Sequence, residues 1–223
     1  ASSGDLLRWR FDGVALTADA GCDAYSGSVL DAADVTTTNG RTLAFYTANR
    51  SGEPRRQTQR SATAALDGAR LVPDAGAPVL DEGLADFRDP FVCPAPGGGY
   101  TMLVAKPVPW NGGPEGARSR IALYRSDDLR DWRAASEFGP AEEPRVLWEV
   151  PWLARLVRPD GRDAWLLAIS VVDRRDDATH CGTRVWPGDF DGARFVPDAG
   201  SAPGVLDHGP DYYAPIPAAT RDG

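Results

Sequence analysis

The sequence predicts an all-β fold, specifically a β-propeller, on three observations. A ten-residue phrase opening on Asp-Gly and closing on Asp-Ala-Gly recurs at residues 12–21, 67–76 and 191–200. The first interval is 55 residues and the second is close to twice 62, as if one degenerate copy lay between them. Between these markers lie short runs rich in β-branched and aromatic residues. With 24 Gly and 19 Pro, no long segment of helical period stands out.

Each element follows from these patterns. Residues 43–47, 100–104, 121–124 and 165–172 are apolar, of strand length and bounded by Gly, Pro and Asp clusters. Asp-Gly pairs between such runs signal tight hairpins. Residues 126–132 sit near the position of the missing copy and echo residues 3–9. A unit of about fifty to sixty residues with several strands, repeated about four times, is the sequence form of four-stranded propeller blades. A β-sandwich is the alternative, although it does not require one phrase to return at a blade-sized period.

At 223 residues and 42% hydrophobic content, the chain is long enough to bury a substantial core in one domain. No run approaches the roughly 18 apolar residues that cross a bilayer, so no membrane partner is expected. The net charge is −8, and Lys and Arg are scattered rather than gathered into a stripe. That disfavours nucleic acid and suits a neutral substrate. Cys22, Cys93, Cys181, His180 and His208 have no metal-ligand spacing, so neither a metal nor a cofactor is expected. The chain opens without methionine and both ends fall inside patterned sequence; residues 1–223 are therefore expected to be a partial propeller domain of a longer protein.

Two acidic motifs carry the chemistry: Phe87-Arg88-Asp89-Pro90 and, about sixty residues later, Trp148-Glu149-Val150-Pro151. Glycosidic bonds are usually cleaved between two carboxyl groups. Trp148, Val150 and Pro151 give Glu149 apolar surroundings, which suit a carboxyl group that must deliver a proton. Asp89, beside the Arg88 cation, is expected to stay ionised and to bind sugar hydroxyls through a cationic transition state. A structural ion pair is the bland reading of both. Ser26 and Ser28 lack a nucleophile elbow and a placed histidine, which leaves them lining a pocket or closing a turn. Tyr25, Trp110, Trp148 and Trp152 are candidates to stack on sugar faces or to pack between blades.

On these residues the chain resembles glycoside hydrolase family 32, the β-fructofuranosidases, over nearly its whole length. Tyr25-Ser26-Gly27-Ser28 is similar to that family's aromatic-Ser-Gly-Ser motif, Phe87–Pro90 to its Arg-Asp-Pro motif and Trp148–Pro151 to its Trp-Glu-Cys-Pro motif. Residues 188–192 and 207–214 resemble its later blade signatures. The resemblance implies a five-bladed propeller, incomplete here with about four blades represented, and a retaining mechanism on sucrose or fructans. It implies Glu149 as acid/base, Asp89 as transition-state stabiliser and Arg88 as a fructosyl-binding group. Tyr25, Ser26, Trp148, Asp211 and Tyr213 would border the substrate.

The family's nucleophile motif, Asn-Asp-Pro-Asn, does not occur in this sequence, so that group is expected upstream, and Asp5 is not assigned to it. Val150 stands where the family usually has cysteine, and Trp152 where it is commonly acidic. A non-catalytic carbohydrate-binding propeller and an inverting, arabinan-type glycosidase of the same fold are the competing readings.

Overall fold

The structure, a computed structural model, describes residues 1–17, 21–30, 42–65, 70–108, 118–139, 146–158, 160–173, 180–209 and 211–217. Trp110 lies outside the described residues, as do parts of the first two repeated phrases. All regular structure among the described residues is β. The first sheet runs β1 (Asp23–Leu30), β2 (Leu43–Arg50), β3 (Arg56–Ala64), β4 (Leu71–Pro73). The second runs β5 (Arg88–Pro94), β6 (Tyr100–Val108), β7 (Arg118–Ser126), β8 (Arg133–Phe138). The third runs β9 (Val146–Val157), β10 (Asp163–Asp173), β11 (His180–Phe190), β12 (Phe195–Pro197), with the short β13 (Gly204–Val205) also on β11. Each is an antiparallel meander in chain order. The opening strands touch in succession, β1 on β5 and β5 on β9, so they are the inner strands of three consecutive blades.

The alternation of side chains along a strand explains why the middle blade is apolar without interruption. Met102 and Val104 of β6, with Ala122 and Tyr124 of β7, face the first blade and pack with Leu30, Leu43, Phe45 and Phe87. Leu103 and Ala105, with Ile121 and Leu123, face the third blade and join Trp148, Leu167, Ile169 and Trp186. Polar clamps accompany this packing. The fully buried Phe87 donates its N–H to Gln57 Oε1 at 2.8 Å and accepts from Gln59 Nε2 at 2.6 Å, which ties the entry of the second blade to the first.

In its second copy the repeated phrase contains the outer strand β4, and in its third it makes the turn into the outer strand β12, where Asp191 Oδ1 accepts from Ala193 and Arg194, both at 2.7 Å. In the second blade, residues 126–132 do that job with another turn. Asp128 Oδ1 accepts the N–H groups of Arg130 and Asp131, both at 2.9 Å, with Leu129 at φ 65°. Residues 3–9, the echo in the sequence, repeat the turn: Asp5 Oδ1 accepts from Leu7 and Arg8 at 2.9 and 2.8 Å, with Leu6 at φ 60°. Such Asx-type bonding is why Asp recurs there.

Gly27 is fixed by packing. A Cβ at that position would lie 1.9 Å from the carbonyl oxygen of Phe45, a backbone atom that cannot move aside without breaking the β1–β2 pairing. Gly27→Ala is therefore expected to destabilise the fold by about 1–3 kcal/mol or more, read as a lower denaturation midpoint at unchanged m-value.

Candidate functional site

Each inner strand carries a bulge at the same level. Residues 25 and 26 together oppose Thr47, residues 89 and 90 oppose Val104, and residues 150 and 151 oppose Ile169. Two residues against one break the alternation and re-aim the side chains beside the break. In the second and third blades the bulge has one local form, a residue of positive φ followed by proline: Asp89 at 64° before Pro90 and Val150 at 46° before Pro151. Ala214, at 55° before Pro215, repeats it in the stretch after β13.

Arg88-Asp89-Pro90, Glu149-Val150-Pro151 and Tyr213-Ala214-Pro215 are thus three copies of one backbone device, about sixty residues apart. In each, the N–H of the middle residue is accepted by a preceding side chain. Asp89 N–H donates to Thr47 Oγ1 at 2.9 Å, Val150 N–H to Asp89 Oδ2 at 3.0 Å and Ala214 N–H to Ser170 Oγ at 2.9 Å. The first residues of the three copies converge. Arg88 Nη2 donates to Glu149 Oε1 at 2.5 Å, and the Tyr213 hydroxyl donates to Glu149 Oε2.

These groups line a cavity of about 530 Å³ together with Tyr25, Ser26, Arg55, Asp86, Lys106 and Ser119. The volume suits a sugar-sized ligand. Tyr25 is 43% exposed, and its hydroxyl oxygen accepts from Asn49 Nδ2 at 3.3 Å. Ser26 hydrogen-bonds the Asp89 carboxylate.

The charged partners of Asp89 and Glu149 differ from those their sequence neighbours suggest. Arg88 directs its fork at Glu149 and Asp86, while its Nε stands 3.9 Å from Asp89, beyond hydrogen-bond reach. Burial accordingly pushes the Asp89 carboxyl above its ordinary value; the Val150 N–H, Arg88 and Ser26 oppose that rise, and the neighbouring Glu149 adds to it. Glu149 does not sit in a purely apolar niche, because a guanidinium and a phenol hold its two oxygens. For Arg88, burial disfavours the cation, but Glu149, Asp89 and Asp86 outweigh it and hold its proton more firmly than usual. Burial and the Glu149 carboxylate raise the Tyr213 phenol far enough to keep it a donor.

The Trp148 ring is only 6% exposed and stacks on Phe138 at 5.7 Å and against Trp186 at 5.6 Å, so most of it is committed to the core, while the residue also lines the cavity. Trp152 is equally buried. Asp211 is exposed and stands outside the cavity lining; among the described residues of its motif Tyr213 and Ala214 line the cavity, and Tyr213 bonds Glu149. Arg55, Asp86, Asn49 and Lys106 were not singled out by sequence reasoning. For Asp86 a signal was present: it lies two residues before Arg88, a spacing that puts extended side chains on one side.

The family description "Glycosyl hydrolases family 32 N-terminal domain" matches residues 1–223. The chain is 31% identical to an extracellular exo-inulinase of Aspergillus awamori, over 96% of the chain and 45% of that relative. It is 30% identical to a levanbiose-producing levanase of Bacillus subtilis, over 97% of the chain and 40% of the relative. The solved fructofuranosidase of Schwanniomyces occidentalis complexed with fructose aligns with a TM-score of 0.77 at 26% identity, over 95% of the chain and 41% of that structure. The chain therefore spans less than half the length of these relatives.

At a pH above its raised value, the buried Asp89 carboxylate costs the folded state stability, and the cost fades as pH falls through that value and the proton is taken up. Asn tolerates the same positive φ and can still accept the Val150 N–H. Asp89→Asn is thus expected to raise the melting temperature at neutral pH, with the gain shrinking towards acid, as thermal melts across that range would record.

Proposed function

The chain belongs to glycosyl hydrolase family 32, and from that premise we propose that its cavity binds and cleaves the β-fructofuranosidic bonds of sucrose or a fructan with retention. One observation carries the reading: Asp89 and Glu149, sixty residues apart in sequence, share one cavity wall and are joined through the Val150 N–H and the Arg88 guanidinium. Two carboxylates in a sugar-sized cavity, one deeply buried and one held by donors, are the equipment of a glycosidase.

In this reading Glu149 passes a proton to the leaving-group oxygen as the bond to the fructosyl anomeric carbon breaks, then accepts one from the water that completes hydrolysis. Asp89 lies opposite the ring hydroxyls and strengthens its hydrogen bonds as positive charge develops. Arg88 holds the Glu149 rotamer, and Tyr25 and Ser26 contact the fructosyl unit. A retaining route also needs a nucleophilic carboxylate. The Asn-Asp-Pro-Asn motif that the resemblance links to that role does not occur in the sequence, so the nucleophile is assigned to no residue of 1–223.

The test uses the gene product that carries this sequence. Wild-type protein should release fructose from sucrose or inulin with the anomeric configuration retained. Glu149→Gln should lower turnover by about 10²–10⁴-fold, and by much less on a fructoside with a good leaving group, which needs little protonation. Binding of fructosides by the wild type without any release would replace this reading with a carbohydrate-binding propeller, and inversion would point to the arabinan-type mechanism.

A further inference from the structure

We propose that Asp86 is a positioning residue that sets the Arg88 guanidinium on Glu149, a role that rests on the hydrolytic reading above. The geometry begins with the backbone. Phe87, between the two side chains, is clamped through both its N–H and its carbonyl by Gln57 and Gln59 of the first blade. Both glutamines are fully buried, so the peptide that carries Asp86 and Arg88 has little freedom. From that anchored peptide the two side chains project to the same side, and Asp86 Oδ1 accepts from Arg88 Nη1 at 3.0 Å.

The same oxygen lies 3.5 Å from Arg55 Nη2. Arg55 is oriented in turn by its Nε bond to Asn49 Oδ1 at 3.3 Å, and Asn49 is buried and also accepts from Gln57 at 3.2 Å. A continuous chain of polar contacts therefore runs Asn49, Arg55, Asp86, Arg88, Glu149, Tyr213, from the first blade through the second and third to the stretch beyond β13. Asp86 is its central link and occupies the outer end of the Arg88 fork.

The need for that link follows from the guanidinium's shape. Its donors are fixed in a plane, so a bond from Nη1 decides where Nη2 and Nε point. With Asp86 in place, Nη2 meets Glu149 and Nε is held 3.9 Å from Asp89. Without it, the nearest other carboxylate within reach of the fork is that of the buried Asp89, whose Oδ2 lies 3.9 Å from Nε. The fork then turns toward Asp89 and draws Nη2 away from Glu149, which frees the acid/base rotamer. Misplacement of a catalytic group by about 1 Å costs on the order of 10²-fold in rate.

The experiment compares Asp86→Ala and Asp86→Asn with wild type in the gene product that carries this sequence, measuring kcat and KM on sucrose, melting temperature, and the crystal structures of wild type and Asp86→Ala. The expected result is a kcat lowered by about 10–100-fold in Asp86→Ala, with KM within about 3-fold. Asp86→Asn should recover most of kcat, because its amide oxygen still accepts from Nη1. The Ala structure should show Nη2 off Glu149. A KM that rises while kcat holds would overturn the proposal in favour of Asp86 as a direct sugar ligand. Equal losses in Ala and Asn that track a fall in melting temperature would reduce it to a structural residue. A wild type that releases no fructose would defeat the hydrolytic reading alone, and the Arg88 geometry in the two crystal structures would still decide the positioning claim: a fork unmoved in Asp86→Ala rejects it.

Discussion

The constraint on which this structure depends is that a strand with both faces buried has no side chain to spare for a ligand. β6 and β7 show the condition in full, with successive residues committed alternately to the core on one side and on the other. An inner strand under the same rule could not aim a carboxylate at a cavity. The bulges at Tyr25-Ser26, Asp89-Pro90 and Val150-Pro151 lift the rule at one level of each blade. They place the cavity where three such interruptions coincide.

The interruption has a cost that neighbouring blades offset. A residue before proline favours extended backbone, and a β-branched residue at positive φ is the least comfortable case, yet Val150 occupies φ 46°. Such a conformation persists only where its surroundings over-determine it. Here they do: the N–H that leaves the ladder is taken by a carboxylate of the preceding blade, a charge-assisted bond stronger than the neutral kind. The bond that holds Val150 in its unfavoured conformation is thus also the one that fixes the Asp89 carboxylate. Folding and chemistry share that contact, so the site cannot form unless adjacent blades dock.

Much of this was legible in the sequence, for reasons that can be given residue by residue. The repeated phrase and its echoes are turn chemistry, which depends on nearest neighbours and is therefore written locally. Arg88, Asp89 and Glu149 were singled out because their motifs resemble those of a glycosidase family; their neighbours alone left a structural ion pair equally open. For Trp148 the sequence left sugar stacking and core packing open, and the structure commits most of the indole to the core while the residue still lines the cavity. Asp86 carried only its spacing from Arg88 as a signal, and Arg55 and Asn49 carried none, because no local pattern records that the Arg55 guanidinium of the first blade meets the Asp86 carboxylate at the entry of the second. The sequence paired Arg88 with its neighbour Asp89, whereas its closest acidic partner is Glu149, 61 residues away.

That displacement of partners explains how two carboxylates close in space acquire different characters. Had Arg88 neutralised its own neighbour, Asp89 would be an ordinary ion pair and Glu149 would face the phenol of Tyr213 alone. With the guanidinium shared between Asp86 and Glu149, Asp89 is left buried, and the Val150 N–H, the nearby Arg88 cation and the Ser26 hydroxyl offset only part of the cost of burying its charge. An uncompensated buried carboxylate is an unfavourable resting arrangement that becomes favourable when positive charge develops beside it. Cleavage of a fructosyl bond develops such charge on the sugar ring. In the proposed reading the electrostatic deficit at Asp89 and the demand of the transition state are therefore complementary; burial creates that deficit, and an arginine aimed at Glu149 leaves it only partly offset.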